Sequence, residues 1–301
     1  MLNRIKRQLF FSFFIVFIYR LILFFVAYIS PYFLEYKPSF PYAELLTHYS
    51  VPAWVYSFAG FDGVHYLTIA ENGYQSAGLI QAFFPVWPLL LQIGAGINTV
   101  VWGLLLNCIV LTLIVFVWNR FTSEVYPDIQ STTKISYLPT LLLLSFPTSF
   151  FFVALYSEAI FFLLIITAFW AAHNKKWGIA TIVTILASAT RIVGIVLVPA
   201  LMIEFWWQEQ AKKQIPKSTT DLVNLIHPQK IIRFATNNWQ TLVLLSLGSL
   251  GLLSYMSYLY MVFGDPLLFK TVQSQWGHER SRSLILYPQV VYRYIKIFIH
   301  S

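Results

Sequence analysis

Long apolar runs, separated by short polar segments, dominate this chain of 301 residues. The first run covers residues 9–29 and follows the basic residues Arg4, Lys6 and Arg7. It is about 21 residues long, which is enough for a helix to cross roughly 30 Å of hydrocarbon. The pattern therefore predicts an all-α, multi-pass transmembrane helical bundle. Further apolar runs cover residues 83–97, 100–118, 135–153, 159–172, 177–189, 192–207 and 239–263.

The distribution of basic residues predicts which loops face the cytoplasm. The segment 30–82 has one lysine and no arginine, so we interpret it as a long first outer loop. A short turn around Lys175 and a loop at about residues 208–238 are rich in lysine, so both are expected inside. An odd number of crossings must connect the outer loop to Arg120, which is also expected inside. The run 83–97 is therefore expected to enter the bilayer only part-way.

The composition excludes most soluble functions. Charged residues make up 11% of the chain and hydrophobic residues 58%, whereas an average soluble domain has about 25% charged residues. This argues against a cytosolic enzyme, a disordered regulator and a nucleic-acid-binding module, and favours one membrane domain over residues 1–301. The net charge of +8 is typical of basic cytoplasmic loops. The single cysteine, Cys108, rules out an intrachain disulfide framework and cysteine-rich metal sites.

Five polar clusters interrupt the apolar pattern, and the predicted topology puts all of them on the outer side. Polar groups scattered by chance would divide between the two faces of the bundle. We therefore expect a functional site at the outer membrane surface. The clusters are residues 62–74, 83–88, 156–158, 190–191 and 264–276.

The first cluster is typical of a short amphipathic helix lying on the membrane interface. Asp62 is expected to be its N-cap, and Gly73 to end it. Asp62, His65 and Tyr66 share one helix face because they are three or four residues apart. Asp62 either only caps the helix or accepts a proton from an incoming hydroxyl. His65 is expected to be a hydrogen-bonding neighbour, and Glu71 to be solvated or paired.

Two charges beside the membrane spans extend the candidate site. Glu158 opens a helix after a bend, and Arg191 separates two short apolar runs. A charge that deep is costly, so Arg191 is expected to face a partner or a cavity. It forms either a structural pair with Glu158 or a phosphate site, for which its planar guanidinium is suited. Arg20, midway along the first run, either contacts a lipid phosphate or lies near an interface because the span is shifted outward.

The last cluster begins with a turn at Gly264-Asp265-Pro266. Gln273 and Trp276 follow, and Trp276 either stacks on a sugar ring or is an ordinary interfacial tryptophan. The chain contains no HExxH, GxxxxGK[ST] or GxGxxG motif, so catalytic zinc and nucleotide phosphates have no recognisable site. An enzyme of this kind is expected to use a lipid-phosphate sugar as co-substrate and no other cofactor, with its metal requirement open.

The same motifs, in the same order, resemble the PIG-V family of mannosyltransferases over residues 1 to about 276. Each motif alone is weak, but five in order are fairly specific. The resemblance rests on Phe61-Asp62-Gly63 with Tyr66, Ile69-Ala70 and Gly73-Tyr74; Phe83-Phe84-Pro85 with Pro88-Leu89; Pro147 with Tyr156-Ser157-Glu158; Ala189-Thr190-Arg191 with Gly194; and Gly264-Asp265-Pro266.

The resemblance implies a GT-C fold, in which a long first outer loop carries a catalytic aspartate. It also implies a dolichyl- or polyprenyl-phosphate sugar donor, a glycan or glycolipid acceptor and inversion of the anomeric carbon. Asp62 falls on the position of the catalytic acid. Together, the sequence pattern and the resemblance give these candidate substrate-binding residues: His65, Tyr66, Glu71, Tyr156, Glu158, Arg191, Asp265, Gln273 and Trp276.

Two departures from the family pattern stand out. The position of Phe61 is usually tryptophan in the family. The chain also ends at Ser301, where family members commonly continue through further spans, so a truncated bundle is one expectation. The expected location is a prokaryotic cell membrane with the site on its outer face, and the endoplasmic reticulum membrane is the alternative.

Two other functional classes remain open at this point. A transporter or flippase for a lipid-linked or anionic substrate would line its pathway with charges such as Arg20, Glu158 and Arg191. Inverted repeats are common in transporters, and none is visible in this chain. A non-enzymatic assembly subunit is the third class. In every case the expected surroundings are the lipid bilayer, without nucleic acid.

Overall fold

The structure is a computed structural model, and its helices confirm the all-α prediction. Within the described residues the secondary structure consists of helices and turns, without a strand. The described residues are 2–35, 40, 42–94, 96–127, 137–211, 228–273, 275, 288–289, 291–292, 294 and 296.

Thirteen α-helices are used in this description, numbered in chain order. They are α1 (Leu2–Ile29), α2 (Ala53–Tyr56), α3 (Asp62–Asn72), α4 (Val86–Gln92), α5 (Thr99–Val125), α6 (Leu138–Ser145), α7 (Glu158–His173), α8 (Trp177–Ser188), α9 (Leu197–Ala211), α10 (Pro228–Asn237), α11 (Trp239–Ser246), α12 (Leu250–Phe263) and α13 (Leu268–Gln273). Short 3₁₀ helices lie at Ser30–Tyr32, Ala43–Tyr49, Ser57–Ala59, Ile80–Ala82, Pro147–Phe152, Ile192–Val196 and Leu247–Ser249.

The lengths of the helices agree with a multi-pass membrane protein. Among the described residues, four helical stretches are long and apolar enough to cross a bilayer. Two shorter apolar helices, α7 and α8, pack between them. The four long stretches are Ile5–Tyr32, Thr99–Val125, Ile192–Gln210 and Trp239–Phe263.

Two of the apolar runs do not form continuous spans. In the run 135–153, α6 has eight residues, or about 12 Å of helix, which is too short to cross the hydrocarbon. It ends where Pro147 starts a 3₁₀ turn, because proline removes a helical hydrogen bond. In the run 83–97, the seven residues of α4 are also too few to cross, in agreement with the expected part-way insertion.

The lysine-rich loop predicted at about residues 208–238 is partly helical. Helix α9 continues to Ala211, and α10 begins at Pro228, so helix occupies both ends of the predicted loop. Residues 212–227 lie outside the described part of the chain. The apolar pattern predicted the end of the helix before the loop too early and the start of the helix after it too late. The reason is that both α9 and α10 carry polar residues at these ends.

Glycines allow α8 to be approached closely by two other segments. A Cβ atom added at Gly251 in α12 would lie 1.9 Å from the backbone oxygen of Ile185, and one at Gly194 would lie 2.2 Å from that of Ala187. The Ser188 hydroxyl donates to the Gly248 carbonyl oxygen at 2.7 Å across the same contact. This packing fixes the C-terminal end of α8, which leads directly into Arg191.

We expect Gly251→Ala to destabilise the protein, because the new methyl group meets backbone atoms that cannot move aside. Overpacking of this kind costs about 1–3 kcal/mol. The matched control is Gly178→Ala in α8, where an added Cβ has nothing within 4 Å. Thermal unfolding in detergent should show a lower Tm for Gly251→Ala and an unchanged or higher Tm for Gly178→Ala. Equal Tm values for the two variants would contradict this packing.

The segment predicted to be the first outer loop is folded around a buried helix. Seven of the eleven residues of α3 are buried, so most of the helix surface packs against the rest of the protein. Its apolar side chains pack into one core with the 3₁₀ turn Ala43–Tyr49, with α4 and with α5. The buried core residues are Leu46, Ala59, Val64, Tyr66, Leu67, Ala70, Trp87, Leu91, Val100, Leu104 and Leu155.

Candidate functional site

Asp62 lies at the start of α3, directly after a strained turn. The Gly63 amide donates to the Gly60 carbonyl oxygen at 3.1 Å, which closes a four-residue turn. Phe61, the second residue of this turn, has φ 50° and ψ −117°, values that favour glycine. The expectation that Asp62 is the N-cap is therefore wrong. Phe61 occupies that position, and Asp62 is the first helical residue, with its side chain exposed.

The hydroxyl of Ser157 joins two of the candidate residues, and a third is paired with one of them. The Tyr66 hydroxyl donates to Ser157 Oγ at 2.8 Å, and Arg191 Nη1 donates to the same oxygen at 3.3 Å. Arg191 Nη1 also forms an ion pair with Glu158 Oε1. The segments around residues 66, 157 and 191 are distant in sequence, so this cluster exists only in the folded chain. We refer to Asp62, Tyr66, Tyr156, Glu158 and Arg191 as the outer cluster, after the side of the membrane that the sequence pattern predicts for them.

Backbone contacts hold the 154–158 segment against α3. The Leu155 amide donates to the Phe58 carbonyl oxygen at 2.8 Å, and Trp87 Nε1 donates to the Leu155 carbonyl oxygen at 3.2 Å. A Cβ added at Gly63 would lie 3.6 Å from the Tyr156 ring, which is van der Waals contact. The Tyr156 ring therefore lies beside the first turn of α3, next to Asp62.

The Arg191 backbone is tied to the end of α8 and to α4. Its amide donates to the Ala187 carbonyl oxygen at 3.1 Å, and the Val86 amide donates to the Ala189 carbonyl oxygen at 3.3 Å. Four of the five predicted polar clusters, 62–74, 83–88, 156–158 and 190–191, thus meet around one point. The Arg191 side chain is 38% exposed and the Glu158 side chain 32%, so a ligand can reach the pair.

The electrostatics of the outer cluster reflect burial and two carboxylates. Burial raises the pKa of Tyr156, and the charges of Asp62 and Glu158 raise it further. Burial also raises the pKa of Tyr66, so both phenols stay protonated and can donate hydrogen bonds. Burial lowers the pKa of Arg191, but the neighbouring Glu158 carboxylate outweighs it and leaves the pKa above its usual value. Arg191 is therefore a permanent cation within reach of Asp62.

His65 is buried beneath the outer cluster. Its ring stacks on Phe83 with centroids 5.0 Å apart and meets the edge of Tyr42 at 5.5 Å. Burial lowers the pKa of His65 to about 4, so the imidazole is neutral at physiological pH. It cannot supply positive charge to a phosphate there, and its ring contacts with Phe83 and Tyr42 are packing contacts.

Glu71 lies on the opposite face of α3 from Asp62, because nine residues turn a helix by about two and a half turns. Its Oε2 accepts a hydrogen bond from the Tyr49 hydroxyl at 3.0 Å. It lines a separate cleft of about 470 Å³ together with His48, Thr68 and Asn98. The structure therefore does not bring Glu71 to the outer cluster.

The last predicted cluster has a different setting. Asp265 Oδ1 accepts from the Leu267 amide at 2.8 Å, so this carboxylate caps the start of the α13 segment. Gln273 is exposed at the end of α13, whose Phe269 packs against Phe84. Trp276 lies outside the described residues. The sequence motif at Gly264 is accounted for by a left-handed cap at φ 76°.

Arg20 lies inside the first span. It is 6% exposed, and its guanidinium lies over the Phe24 ring, 5.2 Å from the centroid. Its Nη1 has no hydrogen-bond partner among the described residues. It faces α5 near Cys108 and not the outer cluster.

Two features of the site were not singled out from the sequence. Ser157 is fully buried and bridges two elements, although the sequence showed it only as part of a motif. Phe61 was noted only for its residue type, and its backbone strain has no sequence signal. No group of three or more His, Cys, Asp or Glu residues that could hold a metal ion occurs in the part of the chain that the structure describes.

Comparison with known protein families gives a match over most of the chain. A family model described as Mannosyltransferase (PIG-V) matches residues 8–297, which is nearly the whole chain. No curated protein and no solved structure matches the chain.

Proposed function

The chain belongs to the PIG-V mannosyltransferase family and is a membrane glycosyltransferase, and we propose that it transfers mannose from a polyprenyl- or dolichyl-phosphate donor to a hydroxyl of a glycan or glycolipid. The observation that carries the proposal is an exposed carboxylate, Asp62, that interacts electrostatically with a cation, Arg191, which is hydrogen-bonded to Ser157. A base and a phosphate-binding group are the two parts that such a transfer needs.

Asp62 is the proposed general base. Its carboxylate accepts the proton of the acceptor hydroxyl while that oxygen attacks the anomeric carbon of the donor sugar. The bond between the anomeric carbon and the phosphate oxygen breaks, and its electron pair leaves with the lipid phosphate. One displacement inverts the anomeric configuration, because attack and departure occur on opposite faces of the sugar.

Arg191 is the proposed binding group for the leaving lipid phosphate. The hydrogen bonds to Ser157 and Glu158 both use Nη1, whereas a guanidinium has five N–H donors. Its remaining donors are suited to phosphate oxygens, on which negative charge develops as the bond breaks. Glu158 and Ser157 hold the guanidinium in place. Tyr156, which stays protonated, is the proposed additional hydrogen-bond donor to the substrates. Tyr66 is buried and donates its hydroxyl proton to Ser157, so its proposed role is to hold that serine in place.

The test of the proposed function is transfer of mannose by the purified protein. The protein is reconstituted in liposomes with polyprenyl-phosphate [¹⁴C]mannose and a panel of alkyl glycosides as acceptors. We expect labelled, inverted product, with the anomeric configuration read by NMR. Movement of the labelled donor across the bilayer without any transfer product would instead favour a flippase.

We expect the outer cluster to face the side opposite the cytoplasm. In a Cys108→Ser background, His48→Cys in the first outer loop and Lys175→Cys in the α7–α8 turn are both exposed positions. In intact cells a membrane-impermeant maleimide should label His48→Cys at once, and Lys175→Cys only after permeabilisation. The opposite labelling order would show that the topology is the reverse of the predicted one. Labelling of both positions at once would show that the cells are leaky.

A further inference from the structure

The turn before Asp62 contains strain for which the fold gives no evident reason. Phe61 adopts φ 50° and ψ −117°, a backbone conformation that glycine normally occupies. Non-glycine residues in such regions cost on the order of 1–3 kcal/mol and cluster at functional sites. The residue before it, Gly60, is a glycine, but the strained position 61 itself is a phenylalanine.

The Phe61 side chain does not offset this cost by burial. Phe61 is 64% exposed, whereas the neighbouring aromatic residues Tyr66 and Trp87 are buried. One side of the ring lies near Phe40, with the centroids 4.8 Å apart and the planes tilted by 32°. The Phe40 ring also lies beside the turn backbone, since a Cβ added at Gly60 would be 3.5 Å from it. The pair therefore forms a supported aromatic surface.

We propose that the Phe61 ring, supported by Phe40, is a stacking platform for a sugar ring of the substrate beside Asp62. Sugar rings present a face of C–H groups, which is attracted to the negative face of an aromatic ring. Their hydroxyls point outward, toward groups such as the adjacent Asp62 carboxylate. A lipid chain would gain nothing from that neighbouring charge, so a sugar fits this surface better. The inference rests on the proposed mannosyl transfer, and the sugar belongs to either the donor or the acceptor.

Four variants separate the ring from the strain. Phe61→Ala removes the ring and keeps the strained backbone, whereas Phe61→Gly removes the ring and relieves the strain. Phe61→Trp keeps an aromatic surface. Lys175→Gly is the matched control, because Lys175 has φ 57° in a turn at the other end of α7.

We expect both Phe61→Ala and Phe61→Gly to raise the KM of one sugar substrate about ten-fold, the size of one aromatic contact. The Tm of Phe61→Gly should exceed that of Phe61→Ala. The two variants should therefore have the same KM but different stabilities. Phe61→Trp should keep the wild-type KM, and Lys175→Gly should gain stability with no change in KM. A rise in the KM of polyprenyl-phosphate mannose assigns the platform to the donor, and a rise in that of an alkyl glycoside to the acceptor.

Three results would overturn the platform. The first is an unchanged KM for both substrates in Phe61→Ala and Phe61→Gly. The second is a KM that follows Tm, with Phe61→Gly restoring what Phe61→Ala loses, since that indicates a structural role alone. The third is lost affinity for polyprenyl phosphate without a sugar, which indicates a lipid contact.

A direct binding measurement keeps this inference separate from the proposed function. Saturation-transfer NMR with methyl α-mannoside, on protein in nanodiscs, should give signals on the ring C–H protons that weaken in Phe61→Ala. If wild-type protein transfers no mannose, the proposed function fails, and this measurement still decides whether the Phe61 ring binds a sugar. Equal signals for wild type and Phe61→Ala would overturn the platform even in an active enzyme.

Discussion

Asp62→Asn is expected to lower kcat for mannosyl transfer by about 10²–10⁴-fold, because the amide cannot accept the proton of the acceptor hydroxyl. The KM for the lipid-phosphate donor should change little, since the lost interaction belongs to the transition state. The side chain is exposed at the start of α3, so the variant should also fold normally. Initial rates with labelled polyprenyl-phosphate mannose, together with Tm, measure both effects.

The control for this variant is Glu44→Gln, which removes another exposed carboxylate from the same outer loop. It should keep full turnover, because Glu44 lies in the Ala43–Tyr49 turn and not in the outer cluster. If Asp62→Asn retained wild-type kcat with the same donor, Asp62 would not be the base. Equal losses in both variants would point to a general effect of loop charge.

Arg191→Ala is the second variant with a large expected effect. Loss of the cation should lower kcat by about 10²–10³-fold, the usual size for one group that stabilises developing charge. Arg191→Lys should recover only part of the rate, because an ammonium group lacks the planar fork of donors. The kcat values of the wild type, Arg191→Lys and Arg191→Ala, measured at saturating donor, should decrease in this order.

If the ion pair of Arg191 with Glu158 were purely structural, the result would be different. Arg191→Ala would then lower Tm and leave kcat unchanged in the folded fraction. The matched control is Arg120→Ala, which breaks the ion pair with Glu124 on α5. The side chains of that pair are 34% and 31% exposed, close to those of Arg191 and Glu158. Full activity in Arg120→Ala together with a loss in Arg191→Ala assigns the effect to the outer cluster and not to ion pairs in general.

Local patterns in the sequence predicted the parts of the fold that local physics decides. The run 9–29 forms a long helix because an apolar segment of that length satisfies its backbone hydrogen bonds internally. Glu158 opens α7, and Gly73 and Gly264 end α3 and α12 with positive φ, as their residue types indicate. Periodicity could not fix the length of α6, where Pro147 ends the helix inside an apolar run.

The candidate site was predicted as a set of residues but not as an arrangement. The pattern put Asp62, Glu158 and Arg191 on one side of the membrane, and their side chains are near one another in the structure. Glu71 and Asp265 were expected with them, but Glu71 lies on the opposite face of α3 and Asp265 caps α13. A sequence motif records residue types, and the direction in which each side chain points depends on how the helices pack.

The sequence by itself determined that this is a membrane protein, which apolar runs contain its long helices and which of its few charged residues are candidates for chemistry. Only the tertiary structure decided that Ser157 joins Tyr66 to Arg191, that α3 is buried and that Phe61 occupies a strained turn before Asp62. The physical reason is the range of the forces involved. Hydropathy and capping act over one or two helical turns, whereas Tyr66 and Ser157 are 91 residues apart and meet through packing alone.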